Sequence, residues 1–205
     1  GEFAPVAGSG VVAGDALTYR RITFHEGAVH GARFAPDGTS ICFGAAWDGR
    51  PIELYWAYPG NPEPRALGFP RADIFSIAST GEMATSLRRQ ARGSFQATGM
   101  LARMPMGGGA PKEVMDGVSG ADFHPDGRPL AIRRDEGGMT RIEFPAGAVL
   151  YQTSGWVSGL GFSRDASRIA FACPFCYVMM DDGVKEKKRD EDVKVQDVAE
   201  MLWEA

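Results

Sequence analysis

Three short stretches carry residue types that could do chemistry. His25-Glu26-Gly27-Ala28-Val29-His30 has the composition of a zinc-protease helix. That motif needs histidines at i and i+4, so that both reach one metal from one helical turn. Here they stand five apart, and Gly27 and Gly31 weaken any helix. The stretch reads as a loop between two strands, and no metal site is expected. Cys173-Pro174-Phe175-Cys176 is a C-x-x-C. A redox pair of this kind sits where a strand meets a helix N-terminus, which lowers the thiol pKa. A zinc ribbon needs a second such pair, and Cys42 is the one other cysteine. Structural or incidental cysteines fit best, with a local disulfide or metal contact as the alternative. Gly107-Gly108-Gly109-Ala110-Pro111-Lys112 lacks the Gly-Lys-Ser/Thr ending and the following helix of a phosphate cradle, so it reads as an inter-strand loop. The sequence has no His-Arg-Asp, Asp-Phe-Gly or Ala-Pro-Glu of a kinase, and no Gly-x-Ser-x-Gly elbow. The expectation is a chain that binds and does not catalyse, with no cofactor.

The surrounding elements must be short and turn-rich. Of 205 residues, 27 are glycine and 13 proline, while 44% are hydrophobic. That is enough to build a core, and it points to strands rather than helices. No run approaches the eighteen apolar residues of a membrane span. Residues 181–205 hold nine acids and five bases, the whole net charge of −4, so residues 1–180 balance seventeen of each. A neutral body lacks the basic stripe of a nucleic-acid binder. The bases also change type: residues 1–180 use sixteen Arg and one Lys (Lys112), the rest four Lys and one Arg. This marks a compositional junction near 172–181. Beyond it Val195, Val198 and Leu202 share one face of a short terminal helix.

One frame recurs. Phe34-Ala35-Pro36-Asp37-Gly38 is followed by Ile41-Cys42-Phe43, and Ile77-Ala78-Ser79-Thr80-Gly81 by Met83. Phe123-His124-Pro125-Asp126-Gly127 leads to Leu130-Ala131-Ile132, and Phe162-Ser163-Arg164-Asp165-Ala166 to Ile169-Ala170-Phe171. The turn position falls at 38, 81, 127 and 166, at intervals of 43, 46 and 39. That is the length of a four-stranded propeller blade. Pro fixes φ, Asp bonds the turn with its own side chain, and Gly accepts positive φ. The second copy replaces Pro-Asp with Ser79-Thr80, and the fourth has Ala166 where Gly is expected. Further strands are expected at Glu53–Trp56, Met100–Met104 and Arg141–Phe144, and Leu17–Phe24 reads as the outer strand of a preceding blade.

The frame resembles the WD-like repeat of TolB-type β-propellers. The run from Tyr19 to about Phe171 is also similar to the propeller region C-terminal to some bacterial serine/threonine kinases. Carrying that likeness are Ala32–Gly38, Ala46-Trp47-Asp48-Gly49-Arg50-Pro51, Ser79–Met83, Leu101–Pro105 and Gly155-Trp156. The expected organisation is a linker or expression scar over 1–16, TolB-like blades over 17–172, and a charged, helical or disordered tail over 173–205. The fold class is all-β, a propeller fragment of about three to four blades. An unclosed arc bares strand edges, so it is either a piece of a longer propeller or an arc completed by another chain.

In propellers the loops entering each inner strand and the loops between second and third strands share one face. That face would present His25, Glu26 and His30; Trp47, Asp48 and Arg50; Arg88, Arg89 and Arg92; Asp135 and Glu136; and Trp156. Exposed Trp and Arg are enriched at interface hot spots; for Trp47 and Trp156 the favoured reading is that they pack between blades. The implied function is a non-catalytic binding or scaffold module, the sensory or docking part of a larger bacterial signalling protein. Its partner would be a protein, peptide or small ligand. The alternatives are a piece of a kinase polypeptide, the propeller of a serine peptidase, or a periplasmic TolB-like scaffold. The compartment, periplasmic or cytoplasmic, is left open.

Overall fold

The computed structural model describes residues 22–61, 63–92 and 96–172. They form thirteen strands, all paired antiparallel, with no helix among the described residues, and so none that could cross a membrane. Blade 1 is the sheet β1 (Gly27–Phe34), β2 (Ile41–Trp47), β3 (Glu53–Ala57) and β4 (Arg65–Pro70). Blade 2 holds β5 (Asp73–Ile77), β6 (Glu82–Ala91), β7 (Ala97–Pro105) and the first part of β8 (Lys112–Phe123). The rest of β8 opens blade 3, which continues through β9 (Leu130–Glu136), β10 (Met139–Glu143) and β11 (Val149–Thr153). A last hairpin, β12 (Ser158–Phe162) and β13 (Ile169–Ala172), opens a fourth blade. This is an incomplete propeller.

Blades 2 and 3 share β8. It pairs with β7 from Lys112 to Val118 and with β9 from Val118 to Phe123, so Val118 has a partner on each side. Gly117, just before it, sits at φ +72°, a conformation that favours glycine and bends the strand where it passes from one blade to the next. Seven strands therefore run in one hydrogen-bonded sheet. The inner strands otherwise meet in series, β1 on β5, β5 on β8 and β8 on β12. Of the expected outer strand Leu17–Phe24, residues 17–21 lie outside the described residues. Ile22–Phe24 are not in a strand, and Ile22 packs on the Phe43–Trp47–Tyr55 group. The tail, Cys173 and Cys176 also lie outside the described residues; Cys42 is buried and free.

Each blade is apolar on both faces, so alternate residues of one strand go to different seams. From β6, Met83 joins Cys42, Leu54 and Trp56 of blade 1, whereas Ala84 joins Val118, Phe123 and Ile132 of blade 3. From β7, Ala102 and Met104 face blade 1 and Leu101 faces blade 3.

Polar side chains tie the inner strands across these seams. The Ser76 hydroxyl accepts the Phe123 N–H (3.3 Å) and donates to Asp122 Oδ1 (2.5 Å). Asp122 Oδ2 in turn accepts the Phe162 N–H at 2.9 Å. Ser76 and Asp122 each directly precede the frame residue of their own blade. So the residue before the frame in one blade holds the frame N–H of the next. Arg33 stands at that position in blade 1, and there Asp73 makes the joint. Its carboxylate accepts the N–H groups of Ile74 and Gly31 and pairs with Arg89 at 3.6 Å. Gly44 leaves the room: a Cβ there would lie 2.2 Å from Asp73 Oδ1.

The four turns share one hydrogen-bond pattern. Gly38, Gly81, Gly127 and Ala166 donate their N–H to the carbonyls of Ala35, Ala78, His124 and Ser163 at 2.7–2.9 Å. Asp37 Oδ1 accepts the N–H of Thr39 and Ser40, Asp126 Oδ1 that of Arg128, and Asp165 Oδ1 that of Ser167. Without an Asp, the second turn closes one residue sooner, Ala78 N–H to Glu82 O, where the first closes from Ala35 to Ser40. The Ser40 hydroxyl and the Thr39 and Ser40 amides hold the Asp37 carboxyl at about 2; the Ser163 hydroxyl and then Ser167 do the same for Asp165.

Two predictions follow from the turns. Ala166 sits at φ +59°, where its counterparts are glycines at +70° to +83°. A left-handed non-glycine residue costs about 1–2 kcal/mol, and glycine's looser unfolded chain returns roughly 0.4–1 of that. Ala166→Gly should therefore stabilise by about 0.5–1 kcal/mol, a rise of roughly 1–4 °C in thermal unfolding; an unchanged or lower midpoint would refute the strain. The Asp37 and Asp165 carboxyls are depressed on folding, so their contribution is full above the unfolded pKa near 3.8 and fades as pH falls toward about 2. The stability gap between the protein and its Asp37→Ala/Asp165→Ala variant should be constant above about pH 5 and narrow steadily through that window. Denaturant titrations across pH read this directly.

Candidate functional site

Some of the loops expected to share one face are hydrogen-bonded to one another. Where blade 1 begins, the Asp48 N–H donates to Glu26 O (3.2 Å), and Asp48 and Gly49, both at positive φ, make the tight turn into β3. Further on, the Arg71 N–H donates to Ile52 O (2.6 Å), and the Arg89 N–H to Arg71 O (2.8 Å). The segments entering β1 and β5 are thus bonded to the β2–β3 loop, and the β5 entry also to the bulged end of β6.

At the blade 1 end, His25, Glu26, His30, Asp48 and Arg50 are exposed, with an Asp48–Arg50 ion pair at 3.7 Å. Trp47 is not presented to solvent. At 4% exposed, it packs on Phe43 (6.4 Å between ring centroids), Tyr55 (6.0 Å) and His25 (5.5 Å). The side-chain alternation of β2 explains this: Phe43, Ala45 and Trp47 all point to one face of the blade. Arg88, at φ +50° where β6 bulges, is exposed and ion-paired to Glu113 at 2.6 Å; that contact holds the Glu113 carboxyl below its ordinary range. Arg89 belongs to the Asp73 joint, where burial pushes the Asp73 carboxyl up against the opposing pull of Arg89. Among the described residues no group of His, Cys, Asp and Glu could hold a metal ion.

One concavity on this face lies between blades 2 and 3. A cavity of about 530 Å³ is lined by Arg92, Gln96 and Thr98 from the β6–β7 connection, Asp135 to Thr140 from the β9–β10 hairpin, and Ser154, Gly155 and Trp156 before β12. It brings together four residues assigned to the loop face from sequence: Arg92, Asp135, Glu136 and Trp156. Arg92 Nε donates to Thr98 Oγ1 (3.3 Å), Thr140 Oγ1 to Asp135 Oδ1 (2.8 Å), and Arg141 Nη1 to Glu136 Oε2 (3.0 Å). Successive left-handed glycines, Gly137 and Gly138, keep the hairpin tip free of side chains.

Sequence reasoning missed the residue that fixes this cavity. Arg133 is buried and its guanidinium meets no carboxylate within ion-pair distance among the described residues. Nη1 donates to Val157 O (2.6 Å), Nη2 to Ser119 O (2.8 Å) and Nε to Ser119 Oγ (2.9 Å). Burial pulls the guanidinium pKa down. Because it grips the carbonyl next to Trp156, Arg133 sets where the indole wall of the cavity stands. An arginine where the other copies of the frame carry the small residues Gly44, Ser86 and Ala172 was the available signal.

No family model matches the chain. In fold it is similar to TolB from Acinetobacter baumannii, with TM-score 0.56 and 18% identity, over 73% of this chain and 39% of that one. A putative TolB from Agrobacterium tumefaciens gives TM-score 0.43 and 15% identity over 67% and 43% of the two chains. A short stretch of 33 residues is 58% identical to EtfAB:quinone oxidoreductase from Syntrophomonas wolfei, covering 16% of this chain and 5% of that protein. The fold is that of a TolB-like β-propeller, and the chain spans about two fifths of the length of the A. baumannii protein.

Trp47 and Arg50 are sharply different in this arrangement. Trp47→Ala should destabilise by about 3–5 kcal/mol, as for other buried aromatic truncations. Arg50→Ala, at an exposed ion pair, should stay within about 0.5 kcal/mol. Denaturant unfolding of the two variants separates them; equal small effects would return Trp47 to the surface.

Proposed function

We propose that this TolB-like arc is a non-catalytic binding module, the docking or sensory part of a larger bacterial protein. It holds a protein, peptide or small ligand on its loop face. The observation that carries the reading is the cavity between blades 2 and 3. Its volume lies in the range of small-ligand sites, and its walls combine an indole, a guanidinium, two carboxylates and short polar side chains. Trp and Arg are the side chains that most often dominate binding energy when a partner covers them. The described residues lining the cavity include no histidine, cysteine or lysine. Support also comes from the fold, in which rigid blades present loops whose residues are not needed for packing.

The test is a screen of peptide and metabolite mixtures against the isotope-labelled chain, with Trp156→Ala and Arg92→Ala as controls. Compounds that shift the resonances of residues 135–140 and 154–156 should lose at least tenfold in affinity in either variant, about 1.4 kcal/mol, while thermal unfolding moves little. Binding that survives both substitutions, or that maps to another surface, would remove the cavity from the proposal.

A further inference from the structure

The cavity between blades 2 and 3 separates its charges by wall, and what each charge is bonded to decides what a ligand must bring. The blade 3 wall carries Asp135 and Glu136. Glu136 is already compensated: it pairs with Arg141 at 3.0 Å and lies 3.9 Å from Arg134. Asp135 is not. Its Oδ1 accepts the Thr140 hydroxyl at 2.8 Å, while its Oδ2 is buried and has no hydrogen-bond partner among the described residues. Burial lowers the Arg133 pKa and Asp135 opposes that pull, yet the guanidinium gives its donors to Ser119 and Val157.

The blade 2 wall has the opposite sign. Arg92 donates through Nε to Thr98 Oγ1 at 3.3 Å. Among the described residues neither Arg92 nor Asp135 takes part in an ion pair, with each other or with any other group. Residues 93–95, which follow Arg92, are Gly, Ser and Phe and add no charge. The cavity is thus lined by a cation on one side and an anion on the other, and the two do not reach each other.

We infer that this cavity takes a small zwitterionic ligand, whose ammonium group meets Asp135, whose carboxylate meets Arg92, and whose carbon chain packs on Trp156. The inference rests on the reading of the cavity as the binding site and adds the chemistry of what it holds. A shielded carboxylate without a counter-charge is costly, and an ammonium offsets that cost where a neutral group does not. The attraction acts on the carboxylate as a whole, so the covered Oδ2 need not be touched. A guanidinium binds a carboxylate through paired N–H groups, and an indole gives an apolar surface that also favours a nearby cation. A singly charged ligand leaves one wall unmatched, and a neutral one leaves both. Free amino acids and short peptides with open termini share this chemistry.

Calorimetric titration with alanine, γ-aminobutyrate, ε-aminocaproate and trialanine tests this, each probe being mapped by the backbone resonances of residues 135–140 and 154–156. At least one should bind there, and capping its amine by acetylation or its carboxylate by amidation should each weaken it about tenfold or more. The probe that binds best separates a free amino acid from the ends of a peptide. Each variant should lose one end. Asp135→Asn should abolish the penalty for acetylation and keep that for amidation, and Arg92→Gln should do the reverse. Substitutions that weaken every probe and its capped forms alike mark a structural role and overturn the inference. A capped form that binds the cavity as tightly as its parent overturns it too, and leaves the cavity standing as a site. The capped probes need only the wild-type chain, so the test holds if a variant does not fold. Should all four zwitterions leave these resonances unmoved, the inference falls, and the cavity reading survives only if another compound occupies it.

Discussion

The constraint on which this structure depends is that inner strands lie side by side without hydrogen-bonding to one another. Within a blade the ladder satisfies the backbone, but across a seam no ladder exists, and a buried N–H left alone costs about 1–3 kcal/mol. The chain meets this with one polar side chain per seam. Ser76 takes the amide of Phe123, and Asp122 takes that of Phe162. The Ser76–Asp122 contact then links the two acceptors, so three successive blades are held through a single short chain of hydrogen bonds. At the first seam the solution differs. Asp73 reaches back to the Gly31 amide, and its burial is tolerable because Arg89 lies beside it and Gly44 yields the space a side chain would fill.

Two-sided burial also dictates side-chain size. At the positions facing the following blade the inner hairpins carry Cys42, Ala84, Ala131 and Ala170, small residues that let the next sheet approach. At the positions facing the preceding blade they carry Ile41, Met83, Leu130 and Ile169, which fill the gap. Small against large is how stacked sheets interdigitate at crystal-like density. The same rule explains why blade 1 is the odd one. On the side that faces away from blade 2 it holds Phe43, Trp47 and Tyr55, an aromatic group that packs on itself and on Ile22 and His25.

Much of this was legible in the sequence because the turn chemistry is local. Pro-Asp-Gly followed by an apolar strand specifies a tight hairpin without reference to anything distant, so the four turns and the strands beside them fall where the frame puts them. The degenerate copies were legible too. The missing Asp at Ser79-Thr80 gives a turn one residue shorter, and Ala166 adopts the glycine conformation its position demands. What local signals do not encode is partnership across a seam. Ser76, Asp122 and Arg133 look like ordinary strand polar residues until the blades are stacked. Trp47 has the composition of a surface anchor, and only strand parity places it in the core. The sharing of β8 by two blades was equally hidden, since the strand bends at a single residue, Gly117.

The cavity and the seams are therefore not independent features. Arg133 spends all of its bonding on Ser119 and Val157, one residue inside the preceding strand of its own blade and one at the entry to the next. A lysine could reach one of these acceptors but could not bond all three from a planar, fixed fork. The guanidinium thus converts a packing relation between blades 3 and 4 into a fixed position for the loop that carries Trp156. Loop residues such as Arg92 and Glu136 can change without disturbing a seam, because none of them contributes to one, while the distance between the cavity's walls is held by side chains that never reach the surface. That division lets a propeller keep its architecture while its recognition surface changes, and it locates the determinant of cavity shape in a buried cation rather than in the residues a ligand would touch.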